Sequence, residues 1–233
     1  MPEAARRIET EPRAIPSRTI GEPSEVATGQ ELGDLRFRAL VGSDDWGKLP
    51  AAVRHRFSHR LAAGRTVVYV GRTTKLEKSL AGALLAQLLR PLGAPLPLSS
   101  DVGTASVISV TEDAGGGGQV WTRLYARHRG FPQIIHSSKR FSGPTGLEEH
   151  IGSGVSMALR VEAHADGLVF RSAGYTATLF GRRFALPGWL TPGELTVQHV
   201  DEGGGTFTFS LTLQHPLFGR LLEQVGIYRD THA

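Results

Sequence analysis

Trp121, Arg123, Tyr125 and Arg127 recur at every second position of one run, opposite Val120, Thr122, Leu124 and Ala126. On a β-strand that spacing puts two aromatic rings and two guanidinium groups on one face. Such a face can line a pocket for an amphipathic anion, the rings packing the apolar part while an arginine fork takes a carboxylate or phosphate. The same pattern can stack nucleic-acid bases on an open sheet. It can also be a solvated face whose arginine stems cover the rings.

The other reactive side chains define less. His199 follows Leu195 and Val197 on one alternating face, which reads either as a core histidine or as an acid/base group at a pocket wall. His55 and His59 are four residues apart, a zinc-ligand spacing, but no third ligand lies nearby and they fall opposite an apolar stripe. A solvated basic face is expected there, and no metal site. Glu148, Glu149 and the remaining acids form no recognisable catalytic pair. Ser153 sits in Gly152-Ser153-Gly154, not in a hydrolase elbow. No Gly-x-Gly-x-x-Gly links a strand to a helix, so no nucleotide cofactor is expected. Nor is there a helix-turn-helix, zinc-finger or RNP-type motif, so nucleic acid is not an expected partner. The absence of cysteine excludes thiol nucleophiles, thiolate metal sites and disulfides.

Those residues need elements to hold them. The chain has 233 residues and 29 glycines, about 12% against a usual ~7%, without the period of collagen. Turn clusters at residues 114–118, 165–167 and 202–205 absorb many of them. Residues 1–34 hold four arginines and seven acids, leaving 22 basic and 15 acidic residues in the remainder. A basic body favours anionic partners. Residues 1–33, poor in large apolar side chains, read as a disordered tail, and residues 34–233 as a single β-rich domain. Leu49, Val53, Phe57 and Leu61 form one helical stripe entered at Pro50 and ended at Gly64. After a short run at residues 66–70, Thr74 and Glu77 signal a capping box before a second helix over 75–90. That helix is apolar almost all round, which reads as burial between a sheet and another layer or, as the alternative, as a helix that plugs a barrel or lies on a membrane. Its length and the lack of a Lys-rich polar face favour burial, and it is too short to span a bilayer.

From residue 104 the period changes to two. Strands are expected at 104–110, 119–128, 133–141, 155–163, 167–174, 176–180, 194–200, 206–214 and 221–229, with Asp166-Gly167 as the clearest hairpin turn. Short links between short strands mean an antiparallel meander. The expected class is α+β, mainly β: two N-terminal helices and a large antiparallel meander curled into a barrel or half-barrel.

The order of motifs resembles a known family. Gly64-Arg65-Thr66-Val67-Val68-Tyr69-Val70-Gly71 precedes a Leu-rich helix and a Pro-rich turn. Then come Trp121-Thr122-Arg123, Lys139-Arg140-Phe141, Leu147-Glu148-Glu149 with Gly152, Leu186-Pro187-Gly188, Phe207-Thr208-Phe209 and His215-Pro216-Leu217-Phe218-Gly219. Over roughly residues 35–229 this pattern is similar to the bacterial domain-of-unknown-function family 4166. That family often lies C-terminal to saccharopine-dehydrogenase-like Rossmann oxidoreductases, and these 233 residues contain no such domain. The resemblance therefore implies a stand-alone binder or the separated accessory half of a reductase. It carries no established catalytic residues. It does place Trp121, Arg123 and Arg140 on family motifs, which raises them as pocket residues.

Three readings follow. In the first, a cytoplasmic barrel binds a hydrophobic or amphipathic, anionic small molecule, with Trp121 and Tyr125 packing its body and Arg123 and Arg140 orienting its charged end. In the second, the same pocket is a cofactor-independent cyclase or isomerase, with His199 as base and Arg123 stabilising the oxyanion. In the third, the domain is an accessory module docking onto a separate NAD(P)-dependent oxidoreductase.

Overall fold

The computed structural model describes residues 33–61 and 64–231. The tail expected at residues 1–33 lies, but for its last residue, outside the described residues. Three short helices come first: α1 (Arg36–Val41), α2 (Ser43–Lys48) and α3 (Ala51–Phe57). A long strand β1 (Thr66–Lys78) follows, then helix α4 (Leu80–Leu88). The remaining strands are β2 (Ala105–Asp113), β3 (Gly118–Tyr125), β4 (Gln133–Arg140), β5 (Glu148–Gly152), β6 (Val155–His164), β7 (Gly167–Leu179), β8 (Arg182–Ala185), β9 (Glu194–Gly203), β10 (Thr206–His215) and β11 (Gly219–Asp230).

Ten of these strands close into an antiparallel barrel. β1 to β7 pair in order, β7 passes to β9 through Gly167–Arg171, β9 to β10 to β11 continue, and β11 returns to β1. The short β8 pairs only with the far end of β7, Thr176–Leu179. The expected meander is thus a fully closed barrel, which leaves no unpaired sheet edge along the ring.

Several local expectations are overridden. Residues 75–78 are not helical: Lys75 to Lys78 pair with Val225 to Leu222, so β1 runs through the capping-box signal. The helix begins one turn later, where the Ser79 hydroxyl accepts the Gly82 N–H at 3.1 Å. Helix α3 stops at Phe57, where the Ser58 hydroxyl bonds back to the Arg54 carbonyl instead of supporting another turn. The hairpin at Asp166 forms, but Gly167 is already a strand residue paired with His164 and Val200. Its missing side chain admits the His199 carbonyl, which would lie 1.8 Å from a Cβ. The two strands expected at 167–180 are one strand, β7, and β5 and β8 are additional.

Three apolar clusters fill the barrel. Helices α1–α3 close one end, burying Phe37, Trp46, Leu49, Val53 and Phe57 against Met157, Leu159, Leu168 and Phe170. Tyr69, Ile108, Trp121, Phe207 and Tyr228 pack along the wall. At the other end Ala86 of α4 and Leu96 of the segment after it meet Leu76, Leu213 and Leu222. No described helix is long and apolar enough to cross a membrane. Helix α4 is only half buried, contrary to expectation: Gly82 and Ala86 face the barrel, while Leu80, Leu84 and Leu88 are exposed. Nothing in the chain's described part lies over those three leucines.

Candidate functional site

Closing the sheet turns one face of every strand inward. On β3 the inward face is Trp121, Arg123 and Tyr125, because Trp121 pairs with Ser137 and Arg123 with Ile135, both buried. Two adjoining hollows occupy the lumen, with free space between atoms of about 580 and 750 Å3, part of it continuous with solvent. Arg123, Tyr125, Val197, Leu211 and Gln224 border both. Phe57 of α3 forms part of the first hollow's boundary, whereas Leu89, Pro95, Leu96 and Pro97 border the second. The segment carrying those prolines is strapped across the barrel. Lys78 donates to the Pro97, Leu98 and Ser99 carbonyls at 2.8, 2.8 and 2.9 Å. Gln133 on β4 accepts from Leu98 N–H at 2.8 Å and donates to the Leu96 carbonyl at 2.9 Å.

One polar cluster interrupts the apolar lumen wall. Glu149 of β5 accepts from Ser137 at 2.6 Å and from Lys139 at 2.9 Å, while the Arg123 guanidinium lies 3.5 Å from the same carboxylate. Arg123 also donates to the Ser137 hydroxyl at 3.0 Å. Burial by itself would raise the Glu149 carboxyl, but the Lys139 and Arg123 charges and the Ser137 hydrogen bond outweigh it and hold it at about 2. Burial pushes the Lys139 ammonium below the ordinary lysine value despite Glu149, with Arg123 pushing the same way. Two basic groups therefore share one carboxylate, and among the described residues Glu149 is the sole acid bordering these hollows. The shorter bonds of Ser137 and Lys139 leave Arg123 the weakest contact and an incompletely used fork.

The aromatic groups around this cluster are neutral. Burial raises the hydroxyls of Tyr125 and Tyr228, and pushes Tyr175 up to about 12. Tyr228 is bonded to Ser106 at 2.9 Å and Tyr175 donates to the Gly193 carbonyl at 3.0 Å. The Lys139 ammonium lies 5.1 Å from the centre of the Trp121 ring, a cation–π distance.

The other expected site residues lie elsewhere. Arg140 is one position out of phase with Lys139 and points away from the lumen. Its Nε donates to Asp113 at 2.7 Å, where Gly116 N–H also donates, at the β2–β3 turn. Arg127 is exposed beyond the end of β3. His199 is 1% exposed, stacked on Phe207 at 4.8 Å with Phe57 and Phe209 edge-on at 5.2 and 5.0 Å. It borders neither hollow, and its two ring nitrogens have no hydrogen-bond partner. Burial, then the nearby Arg56 charge, lowers the imidazole to about 3.

From the sequence, Glu149 reads as an acid without a catalytic pair, and Lys139 and Glu149 stand in family motifs, but neither of them, nor Ser137, is assigned to the pocket. The alternation of Ile135, Ser137 and Lys139 carried the signal for two of them: once Trp121 is inward, antiparallel pairing puts Lys139 on the same side. Glu149 had no such signal, because β5 is five residues long and follows an irregular loop.

Among curated proteins and among solved structures, no match to the chain is found. A family model does match, over residues 49–227, the span from the helix that bounds the first hollow to the last strand of the barrel. The chain belongs to the family described as Domain of unknown function (DUF4166).

Proposed function

We propose that the barrel binds an amphipathic organic anion, its apolar body among Trp121, Tyr125 and the lumen aliphatics and its charged end on Arg123. The observation that carries this reading is the lumen charge: Arg123 and Lys139 face a single carboxylate, Glu149, which Ser137 and Lys139 engage more closely. A guanidinium is always charged, and one held in apolar surroundings without a full partner favours an incoming carboxylate, phosphate or sulfonate.

The test pairs two fluorescent probes of similar body, 1-anilinonaphthalene-8-sulfonate and the uncharged N-phenyl-1-naphthylamine, with dodecanoate as competitor. The sulfonate should bind saturably and be displaced by dodecanoate while near-ultraviolet dichroism stays native. Arg123→Gln should weaken the anion by about tenfold or more and the neutral probe little, as loss of a charge-assisted bond predicts. Equal behaviour of both probes in both proteins would defeat the proposal. The cyclase or isomerase reading needs His199 and Arg123 in one cavity, and His199 borders neither hollow. Docking onto an oxidoreductase rests on the family resemblance alone.

A further inference from the structure

Antiparallel closure sends successive connections to alternate ends of the barrel, and the two ends differ in kind. One end receives α1–α3 and the β2–β3, β4–β5, β6–β7 and β9–β10 turns. The other receives α4 with its strap, the β3–β4 and β5–β6 turns, the β7–β8 hairpin with the loop after it, and the β10–β11 turn. Of sixteen exposed large apolar side chains among the described residues, thirteen lie on or beside this second set. Leu80, Leu84 and Leu88 make one stripe along the outside of α4, with Leu80 92% exposed. Phe131, Phe180, Trp189 and Phe218 stand on four further connections, Trp189 80% exposed. Helix α4 is thus apolar on both sides, its inner face meeting the lumen cluster and its outer face unpartnered.

The same rim is basic. Arg90, Arg127, Arg129 and Arg182 are exposed and have no carboxylate partner among the described residues. Of the acids at this end, Glu77 and Glu223 pair with Lys75 and Arg220 and Glu194 with Arg171, while Asp101 of the strap accepts the His128 N–H at 3.3 Å. Leucine, tryptophan and phenylalanine interleaved with arginine, spread over several connections around one barrel mouth, match the chemistry of an anionic bilayer interface. A second copy of the chain fits less well, because a two-fold pairing of this rim would bring its own unpaired arginines together.

We infer that this end of the barrel docks on the surface of an anionic phospholipid bilayer, with the outer stripe of α4, Trp189 and the aromatic loop tips entering the headgroup region. The inference extends the binding proposal by naming where an amphipathic ligand is taken up or delivered, and rests on it only for that cargo. The lumen's second hollow is bordered at this end by Leu89, Pro95 and Leu96, so docking would set the strap and α4 between bilayer and lumen.

The full 233-residue chain is floated with phosphatidylcholine vesicles, with and without phosphatidylglycerol. Binding is expected with phosphatidylglycerol, about tenfold weaker without it and weaker at high salt. The combined Leu80→Gln, Leu84→Gln and Leu88→Gln variant, altered only at exposed positions, should lose about tenfold in partitioning, as should Trp189→Ala. Arg127→Gln with Arg129→Gln should remove most of the lipid-charge preference. No partitioning of folded wild type would overturn the inference, as would partitioning unaffected by all three variants. So would a wild-type dimer that the leucine variant converts to monomer without any vesicle binding, since the rim would then belong to a second copy. Dodecanoate binding is measured on the same samples. Vesicle binding without dodecanoate binding sinks the lumen proposal alone, and Arg123→Gln should impair only the latter.

Discussion

His199 offers the most quantitative test of how the barrel is built. Its imidazole is buried against Phe57, Phe207 and Phe209, and its proton affinity is pushed from 6.5 to about 3 by burial and then by Arg56. The unfolded chain keeps the ordinary value, so below it the unfolded state takes up a proton that the folded state refuses. Stability contributed by the neutral ring is therefore full above the ordinary histidine value and declines as pH falls through it toward about 3. Between about pH 7 and about pH 5 the loss works out to about 2 kcal/mol, set almost wholly by the unfolded value. His199→Leu, a replacement close in volume, removes that slope. Urea unfolding of wild type and variant across this range, followed by tryptophan fluorescence, should give stability differences that widen in the variant's favour by about 2 kcal/mol on acidification. Differences constant to within about 0.5 kcal/mol would refute the reasoning, because a ring that protonates normally in the folded state has access to solvent or to a polar partner.

Two further perturbations separate local preference from tertiary contact. Gly82→Ala should stabilise α4 by about 1 kcal/mol on helix propensity alone. The added Cβ, however, would lie 1.9 Å from the Leu221 carbonyl oxygen, so the expected outcome is a loss of about 2 kcal/mol or more and a melting temperature lower by about 5 °C; a rise would show that α4 does not sit on β11. Glu149→Gln leaves Lys139 and Arg123 facing each other without a shared anion, which should cost about 3–5 kcal/mol at neutral pH. Because the folded carboxyl is held at about 2, wild type loses this advantage as pH falls from about 4.5 toward 2. The two proteins' unfolding curves should converge there, and a gap independent of pH would contradict the assignment.

The lumen cluster and the apolar rim are linked by the same geometry. A barrel with an apolar interior has no structural need for Arg123, Lys139 and Glu149 inside it, since well-packed hydrophobic residues serve stability as well or better. Their presence between two hollows is what makes an anionic ligand the economical explanation. The exposed leucines of α4 pose the complementary question on the outside of the same mouth, and a bilayer surface answers it with chemistry already present in the neighbouring arginines.

Much of this was legible from residues alone. The change to period two after residue 104 specified antiparallel strands, and the phase of Trp121, Arg123 and Tyr125 put them on one face, because alternation is a local property of the extended backbone. Alternation cannot say which face is inside. That was decided when β7 met β9 and β11 returned to β1, contacts that no hairpin supplies and, for β1 and β11, between segments far apart in the chain. The same long-range pairing drew Lys75 to Lys78 out of a helix and into β1, and brought Lys139 inward in place of Arg140. Only there did Glu149 find two cations, and only there did His199 become a core residue. Charge and patterning belong to single strands and survive in any fold; partnership, enclosure and the proton affinities they set exist only once the ring is closed.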